Sequence, residues 1–306
     1  MIKIALFTFI TTTSLFAQND IEIYNCYGNS HKVIVEGRLL HKKTQSIASK
    51  DDNLFQNLWR KTGQLINNEI KNENLSLTLD DKIYKTISDD EGYFSFELES
   101  NKTLKQEYKP LKVQINKNNF SICKTPIIET KKEYLGIISD FDDTIVVSNV
   151  TNKIKLALNL LFKNYKQRDT VADMSETFNL IISNNPPKTP STLFFITGSP
   201  NQLSSSIKEY LTLHNYPKAT LITKKIHGDN PDALFDQFKY KTKKIEKLIK
   251  LYPNIKWYFF GDSGEKDKEV YTCIARHFPE KVKAILIRNV KTGKFEKLPL
   301  STLYAH

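Results

Sequence analysis

The chain has 306 residues, a formal net charge of +11, a hydrophobic fraction of 40% and a mean hydropathy of -0.43. This length accommodates two domains, and this hydropathy excludes a polytopic membrane protein. The charge is uneven: residues 18–133 carry 18 Lys/Arg against 17 Asp/Glu, whereas residues 134–306 carry 26 against 17. A basic C-terminal half attracts anions, whether a phosphate substrate, an anionic lipid surface or a nucleic acid. Such an excess is also common on faces that only meet water.

The first element in chain order reads as an export signal. Lys3 precedes the apolar run IALFTFITTTSLF, and Ala17 is followed by the polar QND. A basic start, a brief apolar stretch and a small residue before polar sequence are expected of a cleaved signal peptide over residues 1–17. The mature chain is then periplasmic or secreted. The run is short for a spanning helix. Export permits disulfides, yet the mature chain carries three cysteines, Cys26, Cys123 and Cys273. A bridge between Cys26 and Cys123 and a set of three unpaired thiols both fit that odd number.

Residues 18–130 read as a small antiparallel, sandwich-like β domain. The stretches KVIVEGRLL, LSLTL, YFSFEL and LKVQI alternate with period two, and Gly92 supplies a permissive turn before YFSFEL. Lys50 to Glu73 reads as a helix or a long loop. This half contains no acid/base pair, metal cluster or glycine-rich phosphate loop.

From residue 131 the pattern changes. YLGIIS, TLFFIT, ATLIT, IKWYFF and KAILIRNV are nearly continuous apolar runs, as in strands buried on both faces. Between them NKIKLALNLLFKNYK, NQLSSSIKEYLTLH, FKYKTKKIEKLIKLY and KDKEVYTCIARHF have helical spacing. Strands alternating with helices predict a mainly parallel sheet covered on both sides, with ligands beyond the carboxyl ends of its strands. Three strand ends carry polar clusters: Asp140-Phe141-Asp142-Asp143-Thr144, Thr197-Gly198-Ser199-Pro200, and Gly261-Asp262-Ser263-Gly264-Glu265-Lys266-Asp267. Each alone reads as a turn. Together, each directly after a buried run, they read as one site.

Residue chemistry suggests the roles. Asp140 and Asp262 are hard oxygen ligands suited to Mg²⁺. Asp140 and Asp142 are expected to face different sides, so that one is free to attack while the other handles protons. Thr197, expected at a helix start, offers a hydroxyl to phosphate. In FKYKTKKIEKLIKLY, Lys241 falls in the apolar stripe of Phe238, Ile245, Leu248 and Tyr252, whereas Lys239, Lys243 and Lys244 fall outside it.

These residues resemble a known family. Asp140-x-Asp142-x-Thr144 is similar to the first motif of the haloacid dehalogenase superfamily, and Thr197, Lys241 and the Asp262/Asp267 pair resemble its later motifs in order. GDSGEKDKEVY, HFPEKVKAILIRNV and VEGRLL look like the actin-patch type of phosphatidate phosphatase and its bacterial relatives. The resemblance implies a Rossmann-like haloacid dehalogenase fold over 131–306 and a Mg²⁺-dependent phosphatase. Asp140 would be the nucleophile and Asp142 the acid/base. Asp140, Asp262 and the Asp142 carbonyl would hold the metal. Thr197 and Lys241 would bind phosphoryl oxygens, with Thr144 and Asp267 in support. Asp143 receives no role. The chain departs from the pattern at TGSP and at VADMSETFNLI, which lacks a glycine frequent there; both bear on substrate fit rather than on phosphoryl chemistry.

The expected substrate is a lipid phosphate such as phosphatidate, reached from an anionic membrane surface that the basic half would meet. A soluble phosphomonoester, and a phosphatase-like domain that only binds lipid or a partner, are the alternatives. No nucleic-acid partner is expected, because the Lys-rich helix lacks interleaved exposed aromatics. The stretch 145–190 is a candidate lid.

Overall fold

A computed structural model describes residues 19–41, 69–147, 169–225 and 236–303. The signal peptide read at 1–17, most of the segment read as helix or loop at 50–73, and the helix NKIKLALNLLFKNYK with the core of the candidate lid lie outside the described residues. Among the described residues no helix is long and apolar enough to cross a membrane.

The N-terminal half is a single seven-stranded sheet. Its strands are β1 (Asn19–Asn29), β2 (Lys32–His41), β3 (Asn74–Leu79), β4 (Lys82–Ile87), β5 (Tyr93–Glu99), β6 (Glu107–Gln114) and β7 (Phe120–Ile128). They lie in the order β4-β3-β6-β7-β1-β2-β5. The pairs are antiparallel except β1 and β7, where Gly28 aligns with Ile127 in parallel. The expected sandwich is therefore corrected to one curled sheet, nearly a barrel. Its two edges approach, and Tyr84 Oη on β4 donates to Glu99 O on β5. Curling lets one sheet enclose its own core, here Val33, Val35, Leu75, Leu77, Phe96, Leu111 and Val113. Cys26 and Cys123 lie on neighbouring strands with their thiols in contact, and all three cysteines are free.

The second sheet begins with β8 (Tyr134–Ser139) and continues through β11 (Leu193–Pro200), β12 (Ala219–Lys224), β13 (Ile255–Asp262), β14 (Val282–Arg288) and β15 (Phe295–Lys297). The short pair β9 (Val146–Val147) and β10 (Asp169–Thr170) stands apart. The order is β12-β11-β8-β13-β14-β15, parallel except for β15 against β14. All five apolar runs read as strands belong to it.

Its helices are α1 (Met174–Ser183), α2 (Ser204–Leu213), α3 (Gln237–Leu251), α4 (Asp267–His277) and α5 (Leu300–Leu303). Two apolar clusters cover the sheet, one with Ile245, Leu248, Trp257 and Ile274, the other with Phe141, Phe178, Phe195 and Tyr210. The first also takes Tyr27 and Ile34 from the barrel, so the two halves share a buried interface. Polar ties reinforce it: Asn29 Nδ2 donates to Leu251 O at 2.7 Å, and Lys225 meets Asp89 at 2.6 Å.

Two local expectations change. The α3 stripe is buried at Lys241, Ile245, Leu248 and Tyr252, but Phe238 is exposed. Phe238 sits in the first turn, ahead of the sheet, and lines an open groove with Thr272 and Arg276 of α4. Thr197 lies within β11, and helical structure begins only at Asn201.

Candidate active site

The register of three strands explains why distant residues meet. Ser139 of β8 is level with Phe195 of β11 and Phe260 of β13. One to two residues further, the chain carries Asp140, Thr197 and Asp262 on adjacent strands spaced about 5 Å apart. Apolar length up to a common rung, then a polar residue, is the local signal that builds this edge.

Beyond Asp140 the chain turns sharply. Asp143 adopts φ +54°, Ile145 N donates to Phe141 O at 3.2 Å, and Arg288 Nη1 donates to the Asp143 carbonyl at 2.8 Å. Asp143 thus shapes the turn through its backbone. Asp140 and Asp142 face different partners because the strand ends at Ser139 and the chain turns; in an extended strand, residues two apart would share a face. Asp140 Oδ1 lies 3.3 Å from Lys241 Nζ, whereas Asp142 Oδ2 accepts from Ser199 Oγ at 2.9 Å. Thr197 Oγ1 accepts from Ser199 N at 3.0 Å.

Lys241 is fully buried among carboxylates. Its Nζ is 2.5 Å from Asp267 Oδ1 and 3.0 Å from Glu265 Oε2. The other oxygen of Asp267 accepts from Asp262 N at 3.2 Å, so both of its oxygens are engaged. Asp262 Oδ1 accepts from the amides of Gly264, at 2.5 Å, and Glu265, at 3.1 Å. Two glycines permit this closeness. A Cβ on Gly261 would lie 2.5 Å from the Asp267 side chain, and one on Gly198 would strike the Gln237 side chain at 2.2 Å.

The charge does not balance. Asp140, Asp262 and Asp267 are buried within 4.8 Å of one another, against the single ammonium of Lys241. Neither oxygen of Asp140 accepts a hydrogen bond, and neither does Asp262 Oδ2. Buried carboxylates without partners are costly, and proton affinity rises as a result. Burial raises Asp262 to about 7, with Asp267 adding to the effect. Burial also lifts Asp140 well above the usual carboxylate range, against the pull of Lys241. At Lys241 burial favours the neutral amine, but Asp140, Asp267 and Glu265 outweigh it and hold the ammonium. Excess negative charge and three hard oxygens without a hydrogen bond fit a divalent cation such as Mg²⁺. Asp267, with both oxygens engaged, fits the expected orienting role.

Every candidate residue therefore reaches this edge except one in part: Thr144 is fully buried just behind it, its hydroxyl accepting and donating nothing among the described residues. Three contributors received no role in the sequence reading. Ser199 positions Asp142, Glu265 shares Lys241, and Arg288 ends β14 against the Asp143 carbonyl. Ser199 and Glu265 were visible as members of the polar strand ends, and Arg288 as a charge directly after the buried run KAILI.

Comparison with known proteins covers the span that holds these residues. The family described as "Phosphatidate phosphatase APP1, catalytic domain" matches residues 135–289. The phosphatidate phosphatase APP1 of Saccharomyces cerevisiae is 29% identical over 155 residues, 50% of this chain and 26% of its own length. An uncharacterised protein of Schizosaccharomyces pombe is 24% identical over 170 residues, 55% of this chain and 27% of its own. The chain thus spans about a quarter of each relative it matches. A carbohydrate acetylesterase from Xanthomonas citri aligns over 86% of this chain and 57% of its own at 10% identity, with a TM-score of only 0.29.

Proposed function

Because this chain belongs to the family of phosphatidate phosphatase APP1 catalytic domains, we propose that it is a phosphoric monoester hydrolase acting on a phosphorylated lipid, converting phosphatidate to diacylglycerol. The observation that carries the reading is Asp140: a buried carboxylate with no hydrogen bond to either oxygen, 3.3 Å from an ammonium, at the carboxyl edge of a parallel sheet. A purely structural buried carboxylate would have its oxygens hydrogen-bonded. One that meets an ammonium but accepts no hydrogen bond keeps an oxygen available to attack.

In this mechanism an Asp140 oxygen forms a bond to phosphorus in line with the ester oxygen, whose bond to phosphorus breaks. Asp142 gives its proton to the departing alkoxide, leaving diacylglycerol and an aspartyl-phosphate. Asp142, now ionised, takes a proton from the water that attacks that phosphorus, releasing inorganic phosphate and restoring Asp140. Ser199 holds Asp142 on the side away from Lys241. Lys241 and the Thr197 hydroxyl hold the transferring oxygens, fixed in place before reaction. Asp140, Asp262 and the Asp142 carbonyl would hold Mg²⁺, which supplies neutralising charge to the phosphoryl group when bound. Asp267 fixes Lys241 and the Asp262 backbone.

The fold reading belongs to the same proposal. A haloacid dehalogenase arrangement is supported by the order β12-β11-β8-β13-β14, with the nucleophile after the central β8. Export through residues 1–17 is also part of it. Phosphate release from phosphatidate in mixed micelles, beside a soluble aryl phosphate and each with and without Mg²⁺, tests the reading. Mg²⁺-dependent release favouring the micellar lipid is expected. Preference for the aryl phosphate would move the substrate to a soluble phosphomonoester, and no release from either would sink the enzyme reading.

A further inference from the structure

Seven large apolar side chains are exposed among the described residues, and four of them, Ile83, Ile87, Phe120 and Ile122, belong to β4 and β7 of the barrel. Strand pairing gathers these four on one face. Lys85 pairs with Ser76, Ser76 with Gln114, and Gln114 with Phe120, forming a row across four strands. On the neighbouring row Ile83 pairs with Thr78, and Lys112 pairs with Ile122. Residues two apart on a strand share a face, so Ile87, Lys124 and Pro110 extend the same surface. The alternate residues, Leu75, Leu77, Leu111 and Val113, point inward and fill the barrel core.

The charge on this face has one sign. Its ionisable side chains are Lys85, Lys112 and Lys124, and no outward position of β3, β4, β6 or β7 is a carboxylate. Residues 18–133 as a whole are close to neutral, so the acids lie on other faces. Lys112 Nζ sits 4.1 Å from the Phe120 ring centre, placing cation and apolar ring side by side. The face also has a useful orientation. β4 ends at Ile87, and two residues on Asp89 pairs with Lys225, directly after β12. This end of the barrel therefore lies beside the catalytic edge.

We propose that this face docks on the surface of an anionic phospholipid bilayer. Ile83, Ile87, Phe120 and Ile122 enter the interface, and the three lysines meet headgroup phosphates. Apolar side chains and cations on one surface supply both terms of interfacial binding, burial of apolar area and attraction to an anionic leaflet. A second copy meeting the same face would set lysine against lysine, which disfavours a two-fold dimer. The proposal deepens the lipid-phosphatase reading and draws its rationale from it. It moves the lipid contact from the basic catalytic half, where charge alone pointed, to the barrel.

The test is flotation of the full chain with vesicles of phosphatidylcholine alone and of phosphatidylcholine with phosphatidylserine, neither of which carries a phosphomonoester. Binding to the mixed vesicles is expected. It should fall at least tenfold, or about 1.4 kcal/mol, in the triple variant Ile83→Ser, Phe120→Ser, Ile122→Ser. The triple variant Lys85→Gln, Lys112→Gln, Lys124→Gln should lose as much and is an independent arm that leaves the apolar residues intact. Turnover of a soluble aryl phosphate should be unchanged in both. Full flotation of both variants would overturn the proposal, as would a dimer, seen by sedimentation, that these substitutions dissociate. Intact, variant-sensitive flotation by a protein that releases no phosphate would sink the enzyme reading and leave the docking face standing.

Discussion

The barrel and the parallel sheet bury charge in opposite ways. Among its described residues the barrel buries one ionisable side chain of this kind, Arg38. Its Nη2 donates to Glu69 at 3.0 Å, its Nε donates to Glu91 O at 2.7 Å, and its guanidinium stacks 4.5 Å from the Tyr93 ring. The catalytic edge buries Asp140, Asp142, Asp262 and Asp267 beside the one ammonium of Lys241 and leaves carboxylate oxygens without hydrogen bonds. Matched charge holds a fold together. Unmatched charge, maintained at a cost in stability, points to a ligand that balances it.

That contrast breaks most sharply at Asp140. Asp140→Asn should lower phosphate release about 10⁴-fold while the protein melts no earlier, because the change relieves a buried excess of negative charge and leaves Lys241 paired with Asp267 and Glu265. Turnover assays beside a thermal melt read both, and a large loss of stability would show that Asp140 is structural. Asp142→Asn should cost about 10²- to 10⁴-fold, and less for an aryl phosphate than for a lipid phosphate, since a phenolate leaves without a proton. An equal loss on both substrates would remove Asp142 from leaving-group protonation and confine its effect to hydrolysis of the shared aspartyl-phosphate.

Arg38→Met should do the reverse. Loss of a buried cation from its carboxylate is expected to cost about 2–3 kcal/mol in chemical denaturation, at the lower end because Glu69 retains some solvent contact. Turnover per folded molecule should stay unchanged.

The smallest effect belongs to the seam between the halves. Lys247 of α3, with Lys32, holds Glu97 at about 2, below its ordinary 4.5. A depressed carboxylate stabilises fully above its unfolded value, and that contribution is lost as pH falls from 4.5 toward 2. Glu97 is 43% exposed, so screening limits the contribution to less than about 1 kcal/mol. Glu97→Gln should lower the melting temperature slightly at pH 7, and the gap from wild type should close in acid.

The strand ends were legible because runs buried on both faces have no competing reading. Other elements were harder. β7 contains Pro126, which cannot donate to a ladder and so weakens a strand reading, yet it pairs with Tyr108 of β6 along its length. β4 reads KIYKTI, and its outward Ile83 and Ile87 erase the alternation. α1 buries only Met174 and Phe178 and exposes Leu180, which blurs its stripe. Its start at Asp173 lies in the left-handed region, φ +61°, without a side-chain cap. Ser199 and Glu265 were legible as members of the polar strand ends but not in their roles, because their partners lie 57 and 24 residues away.

Sequence alone determined the class of the second half, the order of its polar strand ends and the chemistry those residue types permit, since periodicity and residue type are local properties. Tertiary structure decided the rest. Register brought Asp140, Thr197 and Asp262 to one edge, and burial left three carboxylates facing one ammonium. Curvature turned the expected sandwich into a near-barrel and gathered Ile83, Ile87, Phe120 and Ile122 onto one lysine-bordered face. Partnership, enclosure and charge balance depend on which distant segments meet, and that is a property of the folded chain.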